Sequence, residues 1–290
     1  MARVTVGVPA YRNEATIAAA LNSIVAQTVE DLEIVVSDDG SPDGTWDICR
    51  AFAAKDGRFR IFRQSKNLYY LNFLFVLERA SAPYFAWLAG DDVWSPTYLE
   101  KCLAVLEAQP DVVACVSRCR FVSDNYGETF ARGTTALNSE WADNVASFLR
   151  NPCDNTRMYG LFRCEALKAS FPPLIMHAYD WALSAASLRF GKHYEIPEVL
   201  MTRALTPHEN YVQAVKRDHK FVLFRTFPVL RMSLYLIFNR QIPANRNTLL
   251  ALCVINFHKH EEYMRIMHPA LTSKLSLFYQ FMRKHVISRL

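Results

Sequence analysis

A chain of 290 residues that is 51% hydrophobic and 21% charged can bury a full core, which excludes a disordered or fibrous polypeptide. Its seven cysteines, at 49, 102, 115, 119, 153, 164 and 253, are odd in number, scattered and without a C-x-x-C pair; a disulfide framework and a zinc ribbon are excluded, and a reducing cytoplasm is expected. The net charge of +5 hides an asymmetry, because residues 1–210 hold 20 Lys and Arg against 25 Asp and Glu, while residues 211–290 hold 13 against 3, so the two stretches are expected to do different work.

The opening MARVTVGVPA reads as a strand rather than a leader. From there the first half alternates. VTVGVPA, LEIVVSD, RIFRQ, YFAWLAG and VVACVSRCRFV are short β-rich runs, and ATIAAALNSIVAQ, GTWDICRAFAAK, LNFLFVLERA and TYLEKCLAVLEAQ between them space apolar residues as helices do. Strands joined by crossover helices predict a mainly parallel, Rossmann-like sheet flanked by helices. Ligands of such sheets lie outside the carboxyl ends of the strands. That rule places two acidic doublets, Asp38–Asp39 after the second strand and Asp91–Asp92 after the fourth, in one crevice, where they repel unless a cation lies between them.

Beyond Val122 the pattern loosens. YGETFARGT predicts a hairpin or loop, SEWADNVASFLR a helix, FPPLIMHAYDWALSAASLRFGK a loop running into a helix, and HYEIPEVLMTR a strand pair, together an insertion over the crevice. From Tyr211 the chain reads as basic helices interrupted at Pro228, Pro243 and Pro269. No run of about 18 uncharged apolar residues occurs, so no membrane-spanning segment is expected.

Several motif readings fail. DDGSPDGT resembles a calcium loop from Asp39, but Arg50 stands where the bidentate Glu belongs. Neither G-x-G-x-x-G after the first strand nor G-x-x-x-x-G-K-[ST] occurs, so a dinucleotide dehydrogenase and a P-loop NTPase are disfavoured. Without a glycine-rich cradle, a diphosphate in the crevice needs Mn2+ or Mg2+ held by carboxylates. His258 and His260 alone make no zinc site.

V-P-A-Y-R-N-E (8–14), S-D-D-G-S-P-D-G-T (37–45), K-N (66–67), L-A-G-D-D (88–92) and Y-D-W-A-L (179–183), in this order, resemble the family 2 inverting glycosyltransferases of the GT-A fold. The resemblance covers about residues 1–210. It implies a nucleotide-sugar-binding part at 1–125, an acceptor-binding part at 126–210 and a basic helical extension at 211–290. Pro9, Tyr11, Glu14, Asp38, Asp39, Asn67, Asp91, Arg203 and His208 would bind the donor, Asp39 taking a uracil-type base. Asp92, with His208, would hold the metal, and Asp180 would be the catalytic base. Trp94 and Trp181 would stack on acceptor sugar. The chain departs from the pattern at Ala89, where many members carry Asp, at Tyr69, where a small residue is common, and at Tyr179, where Glu often precedes the base.

The implied activity is metal-dependent transfer, with inversion, from a nucleotide-diphosphate sugar to a saccharide or lipid-linked saccharide in surface polysaccharide or glycolipid synthesis. A nucleotidyltransferase and a degenerate nucleotide-binding scaffold subunit stand as alternatives. The tail interleaves cations with YLIF, FVLF and LALCVINF, which favours an anionic membrane surface or a packing or homo-oligomer interface over nucleic acid.

Overall fold

The computed structural model describes residues 1–123, 127–174, 176–204 and 211–285. Its contacts divide into two compact units, one of Met1–Ala136, Asp154–Ala169 and Phe190–Thr206, the other of Leu137–Cys153, Ser170–Arg189 and Pro207–Leu290. Residues 126–210, read above as one part, are thus shared between both.

The first unit is built on a mixed sheet whose core strands are parallel. It contains β1 Val4–Ala10, β2 Leu32–Asp38, β3 Phe59–Arg63, β4 Tyr84–Trp87, β5 Val93–Trp94, β6 Val112–Ser123, β7 Gly127–Phe130, β8 Leu161–Arg163 and β9 Lys192–Ala204, in the order β3-β2-β1-β4-β8-β6-β9-β5 with β7 hydrogen-bonded to β6. β1 pairs in parallel with β2 and β4, and every residue of β1 is buried, as a central strand covered on both faces must be. Gly7 sits mid-strand because a Cβ there would meet the Phe85 ring at 2.5 Å and Val76 at 2.8 Å. The crossovers are α1 Ile17–Val25, α2 Thr45–Ala53, α3 Leu71–Glu78 and α4 Tyr98–Ala108. α1 turns Ile17, Ala20, Leu21 and Ile24 onto the sheet, apolar positions at helical spacing.

HYEIPEVLMTR forms one strand, not two. β9 runs alongside β6 in parallel, and the register slips between Ser117↔Ile196 and Arg118↔Val199. Pro197, which has no N–H to give a ladder, falls in that slip.

The second unit is helical. α5 Trp141–Arg150, α7 Tyr179–Ser187, α8 Tyr211–Asp218, α9 Val222–Thr226, α10 Leu230–Phe238, α11 Arg246–Met267, α12 Pro269–Lys274 and α13 Ser276–His285 belong to it; α6 Cys164–Ser170 lies at the boundary between the units. Phe148, Leu149, Ala182, Ala186, Met232, Leu236, Leu252 and Ile255 share one core. The three prolines interrupt the tail as expected, Pro269 opening α12 at its first turn. No helix among the described residues is long and apolar enough to cross a membrane.

Candidate active site

Because β1, β2 and β4 are parallel neighbours, Ala10, Asp38 and Trp87 end on one edge of the sheet. The loops leaving that edge enclose a cavity of about 200 Å3 lined by Pro9, Ala10, Tyr11, Asp39, Asn67, Tyr69, Asn72 and Phe73. Four of these, Pro9, Tyr11, Asp39 and Asn67, carry donor roles in the sequence reading. Asp39 is 2% exposed; its two oxygens accept the N–H groups of Leu68 at 2.8 Å and Tyr69 at 3.0 Å. Burial pushes its pKa up against those two bonds. Each oxygen keeps a lone pair that can accept an N–H from a base.

Asn72 and Phe73 complete the wall and were missed, and Tyr69, noted in the sequence only as a departure from the family pattern, stands with them. Tyr69 adopts φ 57, unusual for an aromatic residue, while Asn67 Oδ1 accepts its N–H at 2.7 Å and 52% of the side chain stays exposed. The K-N pair followed by two tyrosines was the available signal. Its aromatic part carries no role in the sequence reading.

Asn13 ties three loops together. Its Oδ1 accepts from Tyr11 N at 2.8 Å, and its N–H donates to Thr45 Oγ1 at 2.8 Å. Its side chain also lies so close to Gly90 that a Cβ there would meet Oδ1 at 2.6 Å and Cγ at 2.7 Å. The glycine of L-A-G-D-D is therefore required by packing, and Thr16 Oγ1 fastens the same turn by donating to Gly90 O at 2.8 Å.

The two aspartates of that turn have different surroundings. Asp92 is 1% exposed; Arg203 Nε donates to its Oδ2 at 2.9 Å and Ala204 N to its Oδ1 at 3.2 Å. Burial raises its pKa to about 6, against the opposing pull of Arg203. Arg203 in turn lies 4.0 Å from the Tyr159 ring centroid and reaches Thr156 Oγ1 at 3.3 Å, so both members of the pair are held inside the first unit. Asp91 beside it is only partly buried.

A hard divalent ion at a nucleotide site is held by one or two carboxylates plus phosphate oxygens. Asp92 does not fit that task, since it is 1% exposed and the Arg203 guanidinium already neutralises it. Asp91 fits it as a single, partly exposed protein carboxylate. Among the described residues no group of three metal-binding side chains occurs, and His208 lies outside them.

Other expected positions differ too. Asp38 is fully buried; Ser41 N donates to its Oδ1 at 3.2 Å and Arg63 Nε stands 3.3 Å from its Oδ2, so it braces the turn and is not part of the cavity wall. Glu14 also lies off that wall, exposed with its carboxylate against Gly44. Trp94 is 4% exposed and stacks on Tyr98 at 4.7 Å; it is core, with no face for a sugar. Arg203, expected on the donor, is held on Asp92. In the second unit, Asp180 is partly exposed in the first turn of α7, after Ala178 at φ 59, and Trp181 has Lys259 Nζ 5.3 Å from its ring centroid.

A parallel-cored α/β sheet with a cavity at its strand ends agrees with the GT-A fold that the motifs led one to expect. Residues 5–171 match the model of Glycosyl transferase family 2, and the chain belongs to that family. An uncharacterized glycosyltransferase of Haemophilus influenzae is 29% identical over 222 residues, 73% of this chain and 68% of that protein. For the uncharacterized glycosyltransferase EpsJ of Bacillus subtilis the figures are 29% over 113 residues, 39% of this chain and 33% of that one. S. aureus TarS 1–349 in complex with UDP-GlcNAc superposes with a TM-score of 0.60 at 15% identity, covering 99% of this chain and 88% of that one. The mannosyltransferase PcManGT from Pyrobaculum calidifontis, in complex with GDP-Man and Mn2+, gives 0.52 at 19% identity, covering 99% and 82%. The nucleotidyltransferase alternative is set aside by the family match.

Proposed function

We propose that this glycosyltransferase moves a sugar from a UDP-type donor to an acceptor hydroxyl with inversion, in the making of a surface saccharide. The observation that carries the donor reading is the cavity at the β1 and β2 ends, where Asp39 presents a buried carboxylate to a base between Tyr11 and Tyr69. Asn67 bounds the ribose side. Among the solved structures of this fold, TarS holds UDP and UDP-GlcNAc and PcManGT holds GDP-Man, so the UDP reading rests on Asp39 as the partner of a uracil-type base.

Asp91 would hold a divalent ion, which when bound supplies positive charge for the departing diphosphate. Asp180 takes the proton of the acceptor hydroxyl as that oxygen attacks the anomeric carbon from the side opposite the nucleotide. A single displacement of this kind inverts the centre. The buried Asp92–Arg203 pair takes no proton in this scheme and fixes the turn that presents Asp91.

Incubation with UDP-, GDP- and dTDP-sugars tests the reading. Release of free UDP, with the opposite anomeric configuration in the product, is the expected result. Release of pyrophosphate, or retention of configuration, would sink it, and absence of turnover with every donor would return the chain to a scaffold role.

A further inference from the structure

The helical unit holds a cavity of about 520 Å3 where the end of α8 meets the starts of α9 and α10. Arg217, Lys220 and Arg231 bring three cations to its wall, against one carboxylate, Asp218. That carboxylate is already taken up, since Arg217 Nε donates to its Oδ1 at 3.0 Å and His177 Nδ1 stands 3.3 Å from its Oδ2. Among the described residues no carboxylate pairs with Lys220 or Arg231. A concave wall with two unmatched cations concentrates anions.

The rest of the wall suits an organic anion. His219 is 1% exposed; its Nε2 donates to Pro228 O at 2.9 Å, while its Nδ1 has no hydrogen-bond partner among the described residues. A buried polar atom left in that way is normally met by a bound group or water. Phe221, 72% exposed, and Phe224 stand beside the cations, giving the mixture of apolar body and few polar groups that small organic ligands meet. Inorganic phosphate alone would leave those rings uncovered.

The cavity also lies near Asp180. Asp218 and His219 in its wall both meet His177, the first at 3.3 Å and the second with ring centroids 6.4 Å apart. His177 precedes Asp180 by three residues, a span of at most about 11 Å. α10, which carries Arg231, packs on α7, which carries Asp180.

We infer that this cavity binds the phosphate of a phosphate-bearing saccharide acceptor, with Lys220 and Arg231 as counter-ions and Phe221 and Phe224 beside the sugar. A phosphate monoester carries close to two negative charges at neutral pH, which matches the two unmatched cations; a carboxylate would neutralise only one. The inference names an acceptor class for the transfer proposed above and rests on that reading for its role in the reaction, while the binding itself does not depend on it.

Calorimetric titration of the full chain with glucose 6-phosphate, glucose and inorganic phosphate tests the site. Glucose 6-phosphate is expected to bind more tightly than either of the others. Lys220→Gln with Arg231→Gln should weaken it roughly tenfold or more, through the loss of two charge-assisted contacts, with UDP affinity as in the wild type. Phe221→Ala should weaken binding of glucose 6-phosphate but not of inorganic phosphate. If the double variant melts early, Lys220→Gln alone takes its place with a smaller loss. No binding of glucose 6-phosphate, full affinity in the variants, or equal affinity for inorganic phosphate would overturn the inference, the last leaving a free-anion site only. In transfer from the UDP-sugar that the chain accepts, hexose 6-phosphates should outpace the corresponding neutral hexoses, and the double variant should raise their KM more than it lowers kcat; equal rates would overturn the acceptor role. Asp180→Asn keeps the two readings apart: it should bind glucose 6-phosphate as the wild type does, so its turnover tests the base and its binding does not.

Discussion

The two units handle charge differently, although the helical unit also takes Asp218 and Glu261 inward against His177 and arginines. In the sheet unit, carboxylates go inward, where backbone N–H groups and arginines meet them: Asp38 at Ser41 and Arg63, Asp39 at Leu68 and Tyr69, Asp92 at Arg203 and Ala204. In the helical unit, cations stay at the surface beside exposed apolar side chains, with Phe221, Phe238 and Leu277 at 72%, 78% and 76% exposure. Buried carboxylates met by backbone N–H groups and arginines fix the shape of turns, which is what a site for a small polar ligand requires.

The largest expected effect would break the view that the helical unit serves only for attachment. Asp180→Asn should lower turnover by roughly 10² to 10⁴, the usual contribution of a positioned general base, while UDP binding survives. Wild-type turnover in that variant would leave Asp180 as an acidic residue favourable at a helix N-terminus and nothing more.

Next comes the buried pair. Asp92→Ala leaves the Arg203 guanidinium uncompensated inside the sheet unit and should cost roughly 3–5 kcal/mol of stability, whereas Asp92→Ala with Arg203→Met should recover much of the loss. Thermal melts of the three proteins measure it. A melting temperature unchanged by Asp92→Ala would mean that the carboxylate is not the strut described.

A smaller effect sharpens the contrast from the other side. Burial opposes ionisation of Asp218, but hydrogen bonds from His177 and Arg217 outweigh it and hold the pKa below the ordinary aspartate value. Ionised Asp218 therefore adds stability above the unfolded value of about 4, and that stability is lost as the pH falls below it. The melting temperature should drop more steeply below that pH in the wild type than in Asp218→Asn. Parallel curves would show that the interaction contributes nothing.

The sheet unit was the more legible part, since β-rich runs and acidic doublets state locally what the fold does. The place of the cavity follows from the rule that ligands meet parallel strands at their carboxyl ends, and four of its wall residues from the family resemblance. What sequence could not assign was which member of each doublet an arginine takes up. Asp38 and Asp92 are taken up by Arg63 and Arg203, the latter more than a hundred residues away from Asp92 in the chain, and no local pattern encodes such a pairing. Trp94 misled for the same reason, because an aromatic beside an acidic turn looks alike whether it stacks on a sugar or on Tyr98. In the tail, composition gave the charge and the prolines gave the breaks, but the cationic cavity and the apolar one appear only once the helices are packed.

The central claim is that neighbouring aspartates divide the work, Asp92 as a buried strut and Asp91 as the carboxylate that meets a metal and its nucleotide. Calorimetric titration of UDP with and without Mn2+, into the wild type and Asp91→Asn, tests it most directly. The account predicts that Asp91→Asn keeps the wild-type melting temperature and loses the gain in UDP affinity that Mn2+ brings. An undiminished Mn2+ effect in Asp91→Asn would contradict it.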